Sequence, residues 1–136
     1  MSDKFTAVNN EQLFTELTPE EASVVEGGAR LILYNATAIK ADADFGPSNG
    51  DDVYIKVNGN KIFGTVNDVD TGETVNINRV ISFNGTARVN FFDNDPWPND
   101  DDSLGGFTVG STPTGGTRTA RIRGSGSVYD VTYRVV

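Results

Sequence analysis

Five aspartates fall within ten residues in the run Asp93-Asn94-Asp95-Pro96-Trp97-Pro98-Asn99-Asp100-Asp101-Asp102. Carboxylates about 5 Å apart repel by roughly 3 kcal/mol per pair at an effective dielectric near 20, so a folded loop of this composition is stabilised by a cation. The chain has no cysteine and no histidine. That excludes thiolate and imidazole metal sites and every Ser/His or Cys/His nucleophile. Oxygen remains as the donor, and a hard cation bound by about six to eight carboxylate and carbonyl oxygens, calcium above all, fits it. An EF-hand does not, because the positions after Asp93 and Asp95 that need a third oxygen and a glycine are Trp97 and Pro98.

A second acidic run precedes the first. Asp42-Ala43-Asp44-Phe45-Gly46-Pro47-Ser48-Asn49-Gly50-Asp51-Asp52 leads into Val53-Tyr54-Ile55-Lys56-Val57. Two loops of this kind can together surround an ion. In the later loop Asp93 and Asp95 alternate as a strand enters the loop, and the turn through Pro96-Trp97-Pro98 returns Asp101 or Asp102 toward them. Phe45 and Trp97 stand at the tips of the two loops. There they either enter a bilayer interface, stack on a sugar, or fold back as a lid.

The elements that must position these loops are short β-strands. From Leu31 onward, β-branched and aromatic runs are separated by Asn-Gly and glycine-rich turns. The expected strands are Leu31 to Lys40, Asp52 to Val57, Lys61 to Val66, Thr74 to Phe83, Thr86 to Phe92, Gly106 to Val109, Thr117 to Arg123 and Ser127 to Val135. Asn58-Gly59 and Asn84-Gly85 suit tight hairpins. In the last strand Tyr129, Val131, Tyr133 and Val135 share one face, with Asp130, Thr132 and Arg134 on the other. Regular short strands without helices predict an all-β, eight-stranded antiparallel sandwich.

On these residues the chain resembles a C2 domain, an eight-stranded sandwich that binds calcium between apical loops. Asp44 and Asp52-Val53-Tyr54-Ile55-Lys56-Val57 match its first ligand loop, and Asp93-Asn-Asp95 with Asp102-Ser-Leu104-Gly105 its later one. The resemblance implies a calcium site formed by Asp44, Asp51 or Asp52, Asp93, Asp95, and Asp101 or Asp102.

Residues 1–28 differ in kind, with Lys4 as their sole basic residue among six acids. Thr18-Pro19-Glu20-Glu21 starts a helix with a cap, a proline at the first helical position and a capping box. Gly27-Gly28 ends it. Val25, Ala22, Leu17 and Phe14 lie four, seven, twelve and fifteen residues before the end of this segment. The segment resembles the double-glycine leaders of bacteriocin-type export substrates. That implies a partner ABC transporter with a peptidase domain, cleavage after Gly28, and secretion of residues 29–136 from a cytoplasmic, bacterial precursor.

The formal charge of −8 argues against a nucleic-acid partner. Asp70-Thr71-Gly72 spells an aspartic-protease triplet, but beside Asp68 and Glu73 it reads as a hairpin turn. Arg118, Arg121 and Arg123 read as an outward strand face. Asn35-Ala-Thr37 and Asn84-Gly-Thr86 are incidental sequons in a bacterial-type product. The expectation is an exported, non-enzymatic calcium-binding protein with a membrane surface or glycan at its apex. The alternatives are a secreted carbohydrate-binding module with structural calcium, and a metal-dependent hydrolase, for which the cluster offers no general base besides Asp. Co-expression with a double-glycine-processing transporter should give an exported product beginning at Ala29 by mass spectrometry, and Gly28→Val should block cleavage. Exported material retaining Met1 to Gly28 would make the segment an ordinary arm.

Overall fold

The computed structural model describes residues 28–43 and 50–136. Gly27, the expected leader helix, Asp44 and Phe45 lie outside the described residues. Among the described residues the chain is all β, with no helix. Its strands are β1 (Ala29–Lys40), β2 (Asp51–Val57), β3 (Asn60–Val69), β4 (Thr74–Phe83), β5 (Thr86–Asp93), β6 (Asp102–Gly110), β7 (Arg118–Gly124) and β8 (Ser127–Val135). They form two antiparallel four-stranded sheets, ordered β4-β1-β8-β7 and β3-β2-β5-β6.

Period-two alternation builds the core. Ala87, Val89 and Phe91 of β5 are buried between exposed Thr86, Arg88 and Asn90, and Val53, Ile55 and Val57 do the same for β2. Tyr129 and Val131 of β8 meet them from the other sheet. The Phe91 and Tyr129 rings lie 6.3 Å apart between centroids, joining the sheets at mid-core. Tyr133 is only partly buried, packed on Phe107 at 4.9 Å near the sandwich margin.

Three local readings change. Asn58-Gly59 does form the β2–β3 hairpin, with φ of 51° and 84°. Asn84-Gly85, expected to do likewise, instead carries the chain from β4 in the first sheet to β5 in the second. Asp70-Thr71-Gly72 is a tight turn, Glu73 N–H donating to the Asp70 carbonyl at 3.0 Å, but it too crosses between sheets. A turn sequence specifies a reversal; which sheet receives the next strand is decided by which face must be buried.

The third change is β6, which begins at Asp102 rather than at Gly106, because Asp102 and Ser103 pair with Asp93 and Phe92. The pairing shifts register opposite Gly105, whose φ is 101°. A Cβ there would collide with the backbone of Arg123, so β6 and β7 approach closely only because this residue is glycine. Gly105→Ala should destabilise the protein by about 1–3 kcal/mol or more, measured by denaturant unfolding. Gly116→Ala, in open space without a positive φ, should stay within about 0.5 kcal/mol of the parent.

Candidate metal centre

The starts of β2 and β6 and the ends of β3 and β5 meet at one end of the sandwich. In the alternation of β5, Asp93 takes the inward place after Ala87, Val89 and Phe91, and it is fully buried. Its backbone pairs with Val53 on one side and Asp102 on the other. One carboxylate oxygen accepts from the Asp52 N–H at 2.6 Å. Asp95 and Asp102, both partly exposed, bring carboxylate oxygens to within 4.8 Å of one another and of Asp93. Oxygens bound to one calcium at about 2.3–2.6 Å stand at most about 5 Å apart. The three carboxylates therefore fit a shared ion as they stand, and their all-oxygen donor set suits calcium.

The other expected ligands are placed differently. Asp51 is wholly buried. One of its oxygens accepts from the Ala43 N–H at 3.0 Å, the other from the hydroxyls of Ser127 at 2.7 Å and Tyr129 at 2.8 Å. It acts as a bolt between β2 and β8 at the base of the loops. Burial first, then the hydrogen bond to Asp51 and the charges of Asp51 and Asp93, hold the Tyr129 phenol in its neutral form. Asp52 accepts at one oxygen from the Asp68 N–H at 2.8 Å, and Asp68 accepts from Gly50 N–H at 3.0 Å. Asp44 lies outside the described residues.

Asp101 and Asp102, adjacent in sequence, separate by face. Asp101 is exposed; one oxygen accepts from the Tyr54 hydroxyl and the other from the Asp95 N–H at 2.9 Å. The Tyr54 bond, the Asp95 bond and, more weakly, Lys56 and Lys61 hold this carboxyl below its ordinary range. Its stabilising contribution is present above the unfolded carboxylate pKa and is lost as pH falls through the lowered folded value. The Tyr54 phenol is pushed up to about 12 by burial, then by Asp101. Its contribution is present below 10, the ordinary value, and is lost as pH rises toward 12. Lys56 and Lys61, which sequence reasoning did not bring near the cluster, come from the outer sheet face, where they sit over the rings of Phe92 and Tyr54.

Trp97 is 91% exposed between its prolines, so it does not fold back as a lid. Arg121 of the basic stripe is held by Asp130 through two bonds of 2.7 and 2.8 Å, as an outward strand face should be. Sequence reasoning missed Tyr54, Asp68 and Ser127 as organisers of this end. Asp51→Ala would leave two hydroxyls and an amide without their acceptor, at about 1–3 kcal/mol each. It should therefore lower unfolding stability in chelator by several kcal/mol, whereas Asp102→Ala, which removes a repelling charge, should not lower it.

No known family profile matches the chain, and no curated protein sequence matches it. Solved structures do share its architecture. The paired C2 domains of extended synaptotagmin 2 superpose with a TM-score of 0.54 at 16% identity, over 79% of this chain and 39% of that one. A C2 domain of a plant extended synaptotagmin 1 gives 0.51 at 14% identity, over 79% and 91% of the two chains. Human GIVD cytosolic phospholipase A2, solved with methyl gamma-linolenyl fluorophosphonate inhibitor and terbium chloride, gives 0.52 at 13%, over 79% and 17%. The sandwich thus has a C2-like fold.

Proposed function

We propose that this chain is a calcium-binding module, exported after removal of its first 28 residues, that uses the ion to dock its loop apex on an anionic membrane. The observation carrying the reading is the convergence of Asp93, Asp95 and Asp102 within 4.8 Å at the end of a C2-like sandwich. These three residues would hold calcium, and the ion would supply positive charge where the protein alone is strongly acidic. Trp97, exposed between two prolines beside this site, is the apolar contact, since its amphipathic ring suits the headgroup region. The protein works by binding rather than by catalysis. The lysines nearest the site are engaged over aromatic rings on the outer face, and the cluster itself offers only carboxylates.

Calorimetric titration of the full chain should show saturable calcium binding. Asp93→Asn with Asp95→Asn should abolish it, and Asp130→Asn, on the outward strand face held by Arg121, should preserve it; equal loss from both variants would refute the site. Calcium at a hundredfold excess over its dissociation constant should add about 2.7 kcal/mol to unfolding stability. Vesicles containing phosphatidylserine should sediment with the protein only when calcium is present, with a blue shift of Trp97 fluorescence. Trp97→Ala should weaken that association without lowering stability. Calcium binding with no vesicle association but capture on a glycan array would favour the carbohydrate-binding alternative.

A further inference from the structure

Tyr54 belongs to no ligand set, yet it links the outer face of the second sheet to the acidic loop. It lies on the outward side of β2 with Asp52 and Lys56, opposite the core residues Val53 and Ile55. Its ring is fixed from two directions. It stacks on Phe92 of β5 at 5.3 Å between centroids with 20° between planes, and the Lys61 ammonium stands 4.7 Å over it. The hydroxyl at the end of this fixed ring donates to Asp101, whose second oxygen accepts from the Asp95 N–H at 2.9 Å.

The three converging carboxylates are not equally constrained by the fold. Asp93 and Asp102 are held opposite each other by strand pairing. Asp95 is beyond the end of β5, so its place depends on bonds made by the loop, among them Asn94 N–H to the Asp52 carbonyl at 2.8 Å and its own N–H to Asp101. Asp101 in turn is aimed by Tyr54. We propose that Tyr54, acting through Asp101, is a positioning residue that sets the Asp95 carboxylate beside Asp93 and Asp102 before any ion arrives. Asp101 is then a brace and not a ligand, since it stands outside the group whose carboxylate oxygens converge within 4.8 Å and its two oxygens accept from Tyr54 and from the Asp95 N–H. The identity of the ion rests on the calcium reading above; the ordering of Asp95 rests on this geometry alone. A group ordered in advance binds more tightly because less freedom is lost on binding, and loss of an outer partner of a metal ligand typically weakens the metal about 10–100-fold.

The test uses the full chain and Tyr54→Phe, which keeps the ring and its stack and deletes only the hydroxyl. By calorimetry its calcium dissociation constant should rise by about 10–100-fold. By amide hydrogen exchange in the calcium-free protein, the Asp95 N–H should exchange roughly ten times faster or more, while the amides of β5 and β2 keep their protection. Asp101→Ala should weaken calcium to a similar degree, and adding Tyr54→Phe to it should cost no more than about twofold further, as for two residues acting in one chain of contacts. Unchanged Asp95 exchange in Tyr54→Phe overturns the proposal, and so does unchanged calcium affinity. Asp101→Ala that abolishes binding as completely as Asp102→Ala also overturns it, because Asp101 would then be a ligand. If the parent protein takes up no calcium, the calcium reading falls, and the Asp95 exchange rate alone decides whether Tyr54 orders the loop.

Discussion

The buried carboxylate of Asp51 determines the arrangement of the acidic end. It is the first residue of β2, wholly inside the sandwich, and its bonds reach Ser127 and Tyr129 of the opposite sheet and Ala43 of the β1–β2 loop. An ionised carboxylate in such a place is strongly unfavourable unless donors surround it. Three donors, two on one strand of the opposite sheet and one in a loop, therefore have one arrangement that satisfies it. With that arrangement set, the start of β2 is tied to β8 across the core, the β1–β2 loop is held at the sandwich end, and Tyr129 is placed to pack on Phe91. Phe91 is two residues before Asp93, so the anchoring extends to the first of the converging carboxylates.

Much of this was legible in strand parity. The eight strands, their antiparallel sense and the sandwich follow from alternating runs and turn residues, and β4 and β8 coincide with the expected spans. Parity also separates the two adjacent pairs of aspartates that composition leaves open. Asp51 shares its face with Val53, Ile55 and Val57, so it is inward; Asp52 shares its face with Tyr54 and Lys56, so it is outward. Asp102 shares the side of buried Leu104, while Asp101 falls on the other, toward Tyr54. The same count puts Asp93 in line with Phe91 and Val89.

What was not legible depends on contacts between residues far apart in the chain. Nothing local marks Asn84-Gly85 as a crossing between sheets, since its turn chemistry matches that of Asn58-Gly59. The early start of β6 depends on pairing with β5 and on the tolerance of Gly105 for the backbone of Arg123, which no window of residues contains. Tyr54 and Asp101 are joined only because β2 and β5 are neighbours, which stacks Tyr54 on Phe92 and brings its hydroxyl to the β5–β6 loop.

Charge and stability are divided between different parts of the molecule. Apart from Asp130, which is neutralised by Arg121, every acidic residue among the described residues lies at this one end, in the loops or at the strand tips. The sandwich tolerates that concentration because its cohesion comes from the apolar faces between the sheets, where Leu31, Leu33, Ile55, Val89 and Phe91 are fully buried. Among the acids themselves, the charge of Asp51 is spread over three donors inside the protein, and that of Asp101 over Tyr54 and the Asp95 amide. Asp93, Asp95 and Asp102 instead converge on one another. Their mutual repulsion is of the kind that a cation held between them relieves from outside.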